Sequence, residues 1–382
     1  MTQFDDIRPY NDEEVAPAID RLLADPELID AVTRLRFPRL AGWMPWLLKP
    51  LVKRVLTRQL HGVSSVDQLQ QIVSHYLDSM IDRCVDQLTV SGLDKLDPNT
   101  PYLFISNHRD IAMDPAFVNW ALNKNGFNTV RIAIGDNLLT KPYVSDLMRL
   151  NKSFIVKRSA TSAREKFKAS KHLSAYIHHS ILEEKSNIWI AQREGRAKDG
   201  LDATNTAIIS MLALSRPKTT PFAEFIRESN IVPVSISYEW DPCDAAKAKE
   251  LHAHAEHGSY EKEEHEDVAS IAAGIAGQKG SVHVAFGDVL KGNFENAEEV
   301  AQEIDRQVWD SYVLHPSNHL AYVLLNGEAA DLPVSASCEP FVEKEYDAEK
   351  QELKRRLADV PDEQKEIFLG IYANPVVSHL RD

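Results

Sequence analysis

Cysteine is scarce in this chain: three residues in 382, at Cys84, Cys243 and Cys338. An odd number so widely spaced excludes a disulfide framework and a clustered zinc site, and points to a reducing compartment. Long apolar runs are missing too. No uninterrupted stretch reaches the ~18 residues that a membrane-crossing helix needs. The 15 glycines form neither a P-loop nor a G-x-G-x-x-G turn, which argues against nucleotide hydrolysis and dinucleotide binding and leaves no cofactor called for. No G-x-S-x-G elbow is present, which argues against a serine hydrolase despite Ser106. Positive charge is also short. Lys and Arg number 43 against 57 Asp and Glu, giving a net charge of −14, so nucleic acid would be repelled. The first residues, MTQFDDIRPYNDEE, are polar and acidic, unlike a secretory signal. The expectation is a protein at the cytoplasmic face of a membrane, peripheral or monotopic, with no metal site.

The positive charge that exists is segregated. Residues 34–58 hold Arg34, Arg36, Arg39, Lys49, Lys53, Arg54 and Arg58 and no acid. The overlapping segment 37–60 adds Trp43, Met44, Trp46, Leu47, Leu48, Leu51, Val52, Val55 and Leu56, with Pro45 and Pro50 as breaks or kinks. Trp and Lys/Arg on one amphipathic stretch suit a helix lying among lipid headgroups, so 37–60 is read as a membrane-docking segment. Helical periodicity runs through 12–35 and 64–86.

From residue 88 the pattern changes to short apolar runs bounded by turns: 88–92, 102–106, 129–135, 153–157, 187–191, 231–238 and 281–287. Helical stretches at 114–123, 137–150, 160–183, 202–214 and 220–229 lie between them. Strands alternating with helices predict an α/β fold, a mostly parallel central sheet flanked by helices, with helical additions at both ends. The division expected is an N-terminal helical region at 1–87, a core at 88–294 with a charged insertion at 241–280, and a C-terminal helical region at 295–382 with helical stretches at 296–313 and 340–372 and Pro316, Pro333, Pro340 and Pro361 as breaks. The histidines of the insertion, His252, His254, His257 and His265, sit amid Glu and Lys and read as a solvated stretch. A basic run after residue 158, Arg164, Lys166, Lys168 and Lys171, is either a solvated face or an attraction for coenzyme A phosphates or membrane.

The densest chemical signal is YLFISNHRDIAMDPAF, residues 102–117. A strand delivers Asn107 and His108 at its end, and Asp110 and Asp114 follow on a turn entering a helix. Acyl transfer to an alcohol needs a base for the hydroxyl proton, and histidine suits that task near neutral pH. A carboxylate behind the ring fixes its tautomer and stabilises the imidazolium. A guanidinium is the natural partner for a phosphate dianion. Lys157 and Arg158, at the end of an alternating strand, are expected to face opposite ways.

Together SNHRDIAMD, SFIVKRS, IWIAQREGRAKDG and IVPVSI resemble, in order and spacing, the motifs of the glycerophospholipid acyltransferase family, over about residues 88–290. The resemblance implies His108 as catalytic base with Asp114, or alternatively Asp110, as its orienter. It implies Arg158 as the grip on the acceptor's phosphate, with Glu194, Gly195 and Arg196 forming acceptor site and Pro233 on a lining strand. Asn107, beside the base, is counted with the substrate-binding residues. Two departures mark a divergent member. Five residues separate His108 from Asp114 where the family usually has four, and Arg196 follows Gly195 directly. One extra helical residue would turn a side chain by ~100°, so the extra residue is expected in the turn before the helix.

The reaction implied moves a fatty-acyl group from an acyl thioester, acyl-CoA or acyl-carrier protein, to the hydroxyl of 1-acylglycerol 3-phosphate, giving phosphatidic acid. Glycerol 3-phosphate or another lyso-lipid is the alternative acceptor. The rivals are a thioesterase and a catalytically silent lipid-binding protein.

Overall fold

A computed structural model describes residues 3–37, 39–139, 141–262 and 266–381; His265 lies outside the described residues. The stretch 12–35 forms two helices, α1 (Asp12–Ala24) and α2 (Pro26–Arg36). Asp25 divides them: its carboxylate accepts the N–H groups of Glu27 and Leu28 at 2.8 and 3.0 Å, and Pro26 takes the first helical position. Helix α3 (Pro45–Leu60) also opens on a proline and carries Pro50 inside it. Then follow α4 (Val66–Cys84), β1 (Gln87–Ser91), β2 (Leu103–Ser106), α5 (Met113–Lys124), β3 (Arg131–Gly135), α6 (Pro142–Leu150), β4 (Ser153–Val156), α7 (Ala163–Leu182), β5 (Ile188–Ala191), α8 (Thr206–Leu212), α9 (Phe222–Glu228) and β6 (Ile231–Tyr238). The remainder comprises α10 (Asp244–His257), α11 (Glu266–Ala276), β7 (Ser281–Phe286), α12 (Ala297–Asp310), α13 (Pro316–Asn326), the short pair β8 (Pro333–Val334) and β9 (Glu339–Pro340), α14 (Asp347–Ala358) and α15 (Lys365–His379).

The chain divides into two compact units, Met1–Asp78 with Val130–Tyr176, and Ser79–Thr129 with Ile177–Asp382. In the first, β3 and β4 pair in parallel. Val15, Ala18, Ile19, Leu22, Val63, Leu69 and Leu150 form its buried cluster. Helix α3 leaves much of its apolar surface uncovered: Trp46, Leu47, Leu51 and Val55 are exposed, and Trp43 just before it is 88% exposed.

The second unit holds a sheet in the order β1-β7-β6-β2-β5, parallel throughout except between β6 and β7. Leu103, Phe104 and Ile105 of β2 are fully buried, as is nearly all of β6. Such unbroken apolar runs belong to strands covered on both faces. Together these elements make an α/β fold.

Two readings of the sequence need correction here. The helical stretch expected at 340–372 is α14 and α15, divided at the Pro361 break, but α13 was not anticipated. Pro316, read as a break, is the first residue of α13. These helices also build a core with the insertion. Trp240, Ala248, Leu320, Ala321, Leu353, Val360, Phe368, Leu369 and Tyr372 pack in one buried cluster. The insertion itself is not a solvated stretch throughout. His254 and His257 are exposed, but the inner face of α10 buries Asp244, Lys247, Ala248 and Glu250.

Candidate active site

Strand β2 ends at Ser106, whose buried hydroxyl donates to the carbonyl of Asn107 at 2.7 Å. The chain then turns through residues 107–112 before α5 begins. Asp110 makes that turn: one oxygen accepts the N–H groups of Ala112 and Met113, each at 2.9 Å. Its second oxygen lies against α11, where a Cβ on Gly274 would come within 2.1 Å of it. Glycine is required there by space alone. Burial, and then the negative charge of Asp114, raise the Asp110 carboxyl above its ordinary range.

Asp114, in the first turn of α5, is completely buried. Its Oδ2 lies 2.8 Å from His108 Nδ1 and also accepts the backbone N–H groups of Arg109 at 2.6 Å and Asp110 at 3.0 Å. Its Oδ1 accepts the Tyr238 hydroxyl at 2.6 Å. Burial alone would favour the neutral acid. The hydrogen bond and charge of His108, the Tyr238 hydroxyl and the backbone donor outweigh it, holding Asp114 below the usual carboxylate range. Burial and that same carboxylate push the Tyr238 phenol well up. His108 is therefore oriented by Asp114 and not by Asp110. The extra residue of the longer spacing sits in the turn, ahead of α5.

The His108 ring meets Trp189 of β5 edge-on, with centroids 5.6 Å apart. With Nδ1 committed to Asp114, Nε2 has no hydrogen-bond partner among the described residues. A base held in one tautomer, with its other nitrogen open, is the arrangement that proton abstraction from an alcohol requires. Neither Trp189 nor Tyr238 was singled out from the sequence. Both lie inside apolar strand runs, where aromatic residues read as core.

The segment after β5 is laced to this turn. Gln192 N–H donates to the Ser106 carbonyl and Ala197 N–H to the His108 carbonyl, both at 2.8 Å. Between them Gly195 takes a left-handed φ of 75°, Glu194 is exposed and Arg196 half-buried. Lys198 pairs with Glu250 of α10.

Two residues assigned to substrate binding have other work. Asn107 is fully buried, and its amide group is used up within the protein. Its Oδ1 accepts Ile236 N–H at 2.8 Å, and its Nδ2 donates to the Ile236 carbonyl at 3.0 Å and to Asp202 at 3.1 Å. Asn107 is a clip between the β2 turn and β6. Pro233 is buried inside β6 opposite Ile105, and its carbonyl accepts Gly287 N–H at 2.8 Å; it offers no donor to a ligand.

Arg158 belongs to the other unit. Strand β4 stops at Val156, so strand alternation does not decide where Lys157 and Arg158 point. Lys157 pairs with Asp6. Arg158 is exposed, its backbone N–H donates to Asp136 at 3.0 Å, and its side chain runs beside Gly135. Asp136, although burial opposes it, is held below the usual range by the Ser159 hydroxyl and the N–H groups of Arg158 and Ser159. The basic run Arg164, Lys166, Lys168 and Lys171 is exposed along α7.

Fold and site thus define an α/β protein with a buried-carboxylate histidine pair at a strand end. Residues 87–237 match the family model described as Acyltransferase. That match spans the histidine turn, the segment after β5 and most of β6. Among solved structures, the crystal structure of the 1-acyl-sn-glycerophosphate (LPA) acyltransferase PlsC from Thermotoga maritima is similar at 13% identity and a TM-score of 0.36, over 74% of this chain and 94% of that one. No curated protein matches the sequence.

Proposed function

We propose that the chain transfers a fatty-acyl group from acyl-CoA or acyl-carrier protein to 1-acylglycerol 3-phosphate, giving phosphatidic acid, within a catalytic core at 88–294. The observation that carries this is the His108–Asp114 pair, 2.8 Å apart with Nε2 left open. On this reading the acceptor hydroxyl gives its proton to Nε2 as its oxygen attacks the thioester carbonyl. Asp114 stabilises the imidazolium that results. The tetrahedral intermediate then collapses, and the thiolate leaves with the proton returned by His108. No covalent enzyme intermediate is needed. Arg196 would bind the acceptor's phosphate, and Glu194 would orient a basic group or a hydroxyl.

Both substrates are amphipathic, so the enzyme gains by working at a lipid surface. Among the described residues no helix is long and apolar enough to cross a membrane. The support for surface docking is α3 with the residues before it, where exposed Trp43, Trp46, Leu47 and Leu51 stand among Lys49, Lys53, Arg54 and Arg58. Docking at the cytoplasmic face is part of the proposal.

The test supplies lipid vesicles and a labelled acyl thioester, with lysophosphatidic acid or glycerol 3-phosphate in parallel, to the protein and to His108→Ala. Label in phosphatidic acid, lost in the variant, is the expected result. Label in lysophosphatidic acid from glycerol 3-phosphate moves the acceptor and keeps the mechanism. Free fatty acid alone, in either lane, means a thioesterase and overturns the proposal.

A further inference from the structure

His108 is flanked by two residues whose side chains converge on one atom. Asn107 Nδ2 donates to Asp202 Oδ2 at 3.1 Å, and Arg109 Nη2 donates to the same oxygen at 2.7 Å. Asp202 lies in the loop between β5 and α8, 5% exposed, outside all four family motifs. It is itself anchored, since Trp309 of α12 donates to its backbone carbonyl at 2.8 Å.

Arg109 is buried as deeply. Its guanidinium also donates to the Gly200 carbonyl at 3.2 Å and lies 5.6 Å from the Tyr312 ring centre. Its backbone carbonyl accepts Lys247 Nζ at 2.7 Å. One carboxylate oxygen therefore ties down the residue before the base and the residue after it.

A general base displaced by ~1 Å can lose ~10² in rate. The carboxylate does not face a substrate: both hydrogen bonds to Oδ2 come from the turn, and Oδ1 is buried with no hydrogen-bond partner among the described residues. We propose that Asp202 is a positioning residue for His108, acting through Asn107 and Arg109. The proposal rests on His108 being the base.

The test measures kcat and KM for acyl transfer to lysophosphatidic acid on vesicles, with the full chain. Asp202→Ala removes both tethers and is expected to lower kcat ~10- to 100-fold with KM changed less than about twofold. Asp202→Asn keeps an oxygen that accepts both donors, and is expected to restore most of the loss. Should Asp202→Ala fail to fold around the uncompensated Arg109, Arg109→Met combined with Asp202→Leu removes both charges together. It is expected to show the same kcat loss. In the His108→Ala background each Asp202 change is expected to leave the residual rate within about twofold, because the base it positions is gone. Full activity in Asp202→Ala or in the Met/Leu pair overturns the proposal. So does a loss confined to KM, or a loss repeated in full on His108→Ala. His108→Ala at the wild-type rate removes the catalytic reading beneath it, an outcome distinct from each of these.

Discussion

Replacing Asp114 by asparagine isolates charge from geometry in this site. In many histidine–aspartate pairs such a change lets the amide turn its NH2 toward the ring and trap the wrong tautomer. Here that turn is blocked. The atom facing His108 Nδ1 also receives the backbone N–H groups of Arg109 and Asp110. An NH2 group placed there would meet two N–H donors, so the carbonyl oxygen of Asp114→Asn stays. Its NH2 then faces the Tyr238 oxygen, which accepts in place of donating. Orientation and tautomer survive, and only the negative charge is lost. Two unit charges about 4 Å apart at an effective dielectric near 20 attract by about 4 kcal/mol. The dipole of the retained carbonyl keeps part of that for the imidazolium. A loss of about 3–4 kcal/mol lowers kcat ~10²- to 10³-fold. Asp114→Ala loses the orientation as well, and leaves Tyr238 and two backbone donors buried without an acceptor, at about 1–3 kcal/mol each. It is expected to be at least ~10-fold slower than Asp114→Asn and to melt lower. The assay is kcat for acyl transfer on vesicles, with thermal melts of all three proteins. Asp114→Asn as slow as Asp114→Ala would refute the blocked-flip reasoning, and Asp114→Asn at the wild-type rate would refute the electrostatic one.

Asp305 of α12 offers a check on stability against pH. Burial raises its carboxyl from the usual 3.8 to about 6, although Thr204 donates to it through both N–H and hydroxyl. A carboxyl that binds its proton more tightly when folded loses stability as pH rises from about 4 to about 6, and the cost stays constant above that. Asp305→Asn keeps the acceptor oxygen, so it is expected to be more stable by about 1–2 kcal/mol at pH 7.5, allowing for partial exposure. That is ~1–4 °C in the melting temperature, and the gain should vanish near pH 4; a gain that persists there would show the carboxyl is not the cause. On α3 and just before it, Trp43→Ala with Trp46→Ala is expected to weaken binding to anionic vesicles ~10-fold or more, read by co-sedimentation, while turnover of a water-soluble short-chain acceptor stays within about twofold. Unchanged sedimentation would remove the docking role from this segment.

Much of the fold was legible because a covered sheet demands apolar runs and the turns between them demand polar ones. All seven strands expected from that alternation are present in the two units, within two residues at each end. The errors have particular causes. Proline was read only as a breaker, which hid α13, although Pro316 stands where a helix can begin. The Asp25–Pro26 pair carried the signal that divides α1 from α2, but the continuous apolar periodicity masked it. The antiparallel run of β7 beside β6 leaves no trace in either strand's composition.

In the site, the histidine and both acids were visible from residue type and order. Which acid faces the ring was not, because it depends on where one extra residue is accommodated. Asn107 was read as ligand-facing since a polar residue beside a base suggests a substrate contact; the sheet needed it instead as a clip. Arg109 and Asp202, 93 residues apart, could not be paired from sequence, because single charged residues default to the surface and their burial comes only from tertiary packing. Tyr238 ends an apolar strand, and nothing local marks its hydroxyl as the second support of Asp114.

Helix α15 sets a clock on this site. Gly200, in the loop that also supplies Asp202, has a left-handed φ of 82° and sits so close to α15 that a Cβ would lie 2.3 Å from the Ile371 carbonyl. Asn374 of the same helix donates to the Asp199 carbonyl at 2.6 Å. At the other side of the sheet β1, among the described residues, pairs only with β7, some 194 residues later. During synthesis, then, β1 waits for its neighbour until β7 has been made, and the loop behind His108 gains its floor only when α15 has. A chain made only as far as β6 would hold all four motifs and yet lack both the partner of β1 and the helix beneath the loop behind His108.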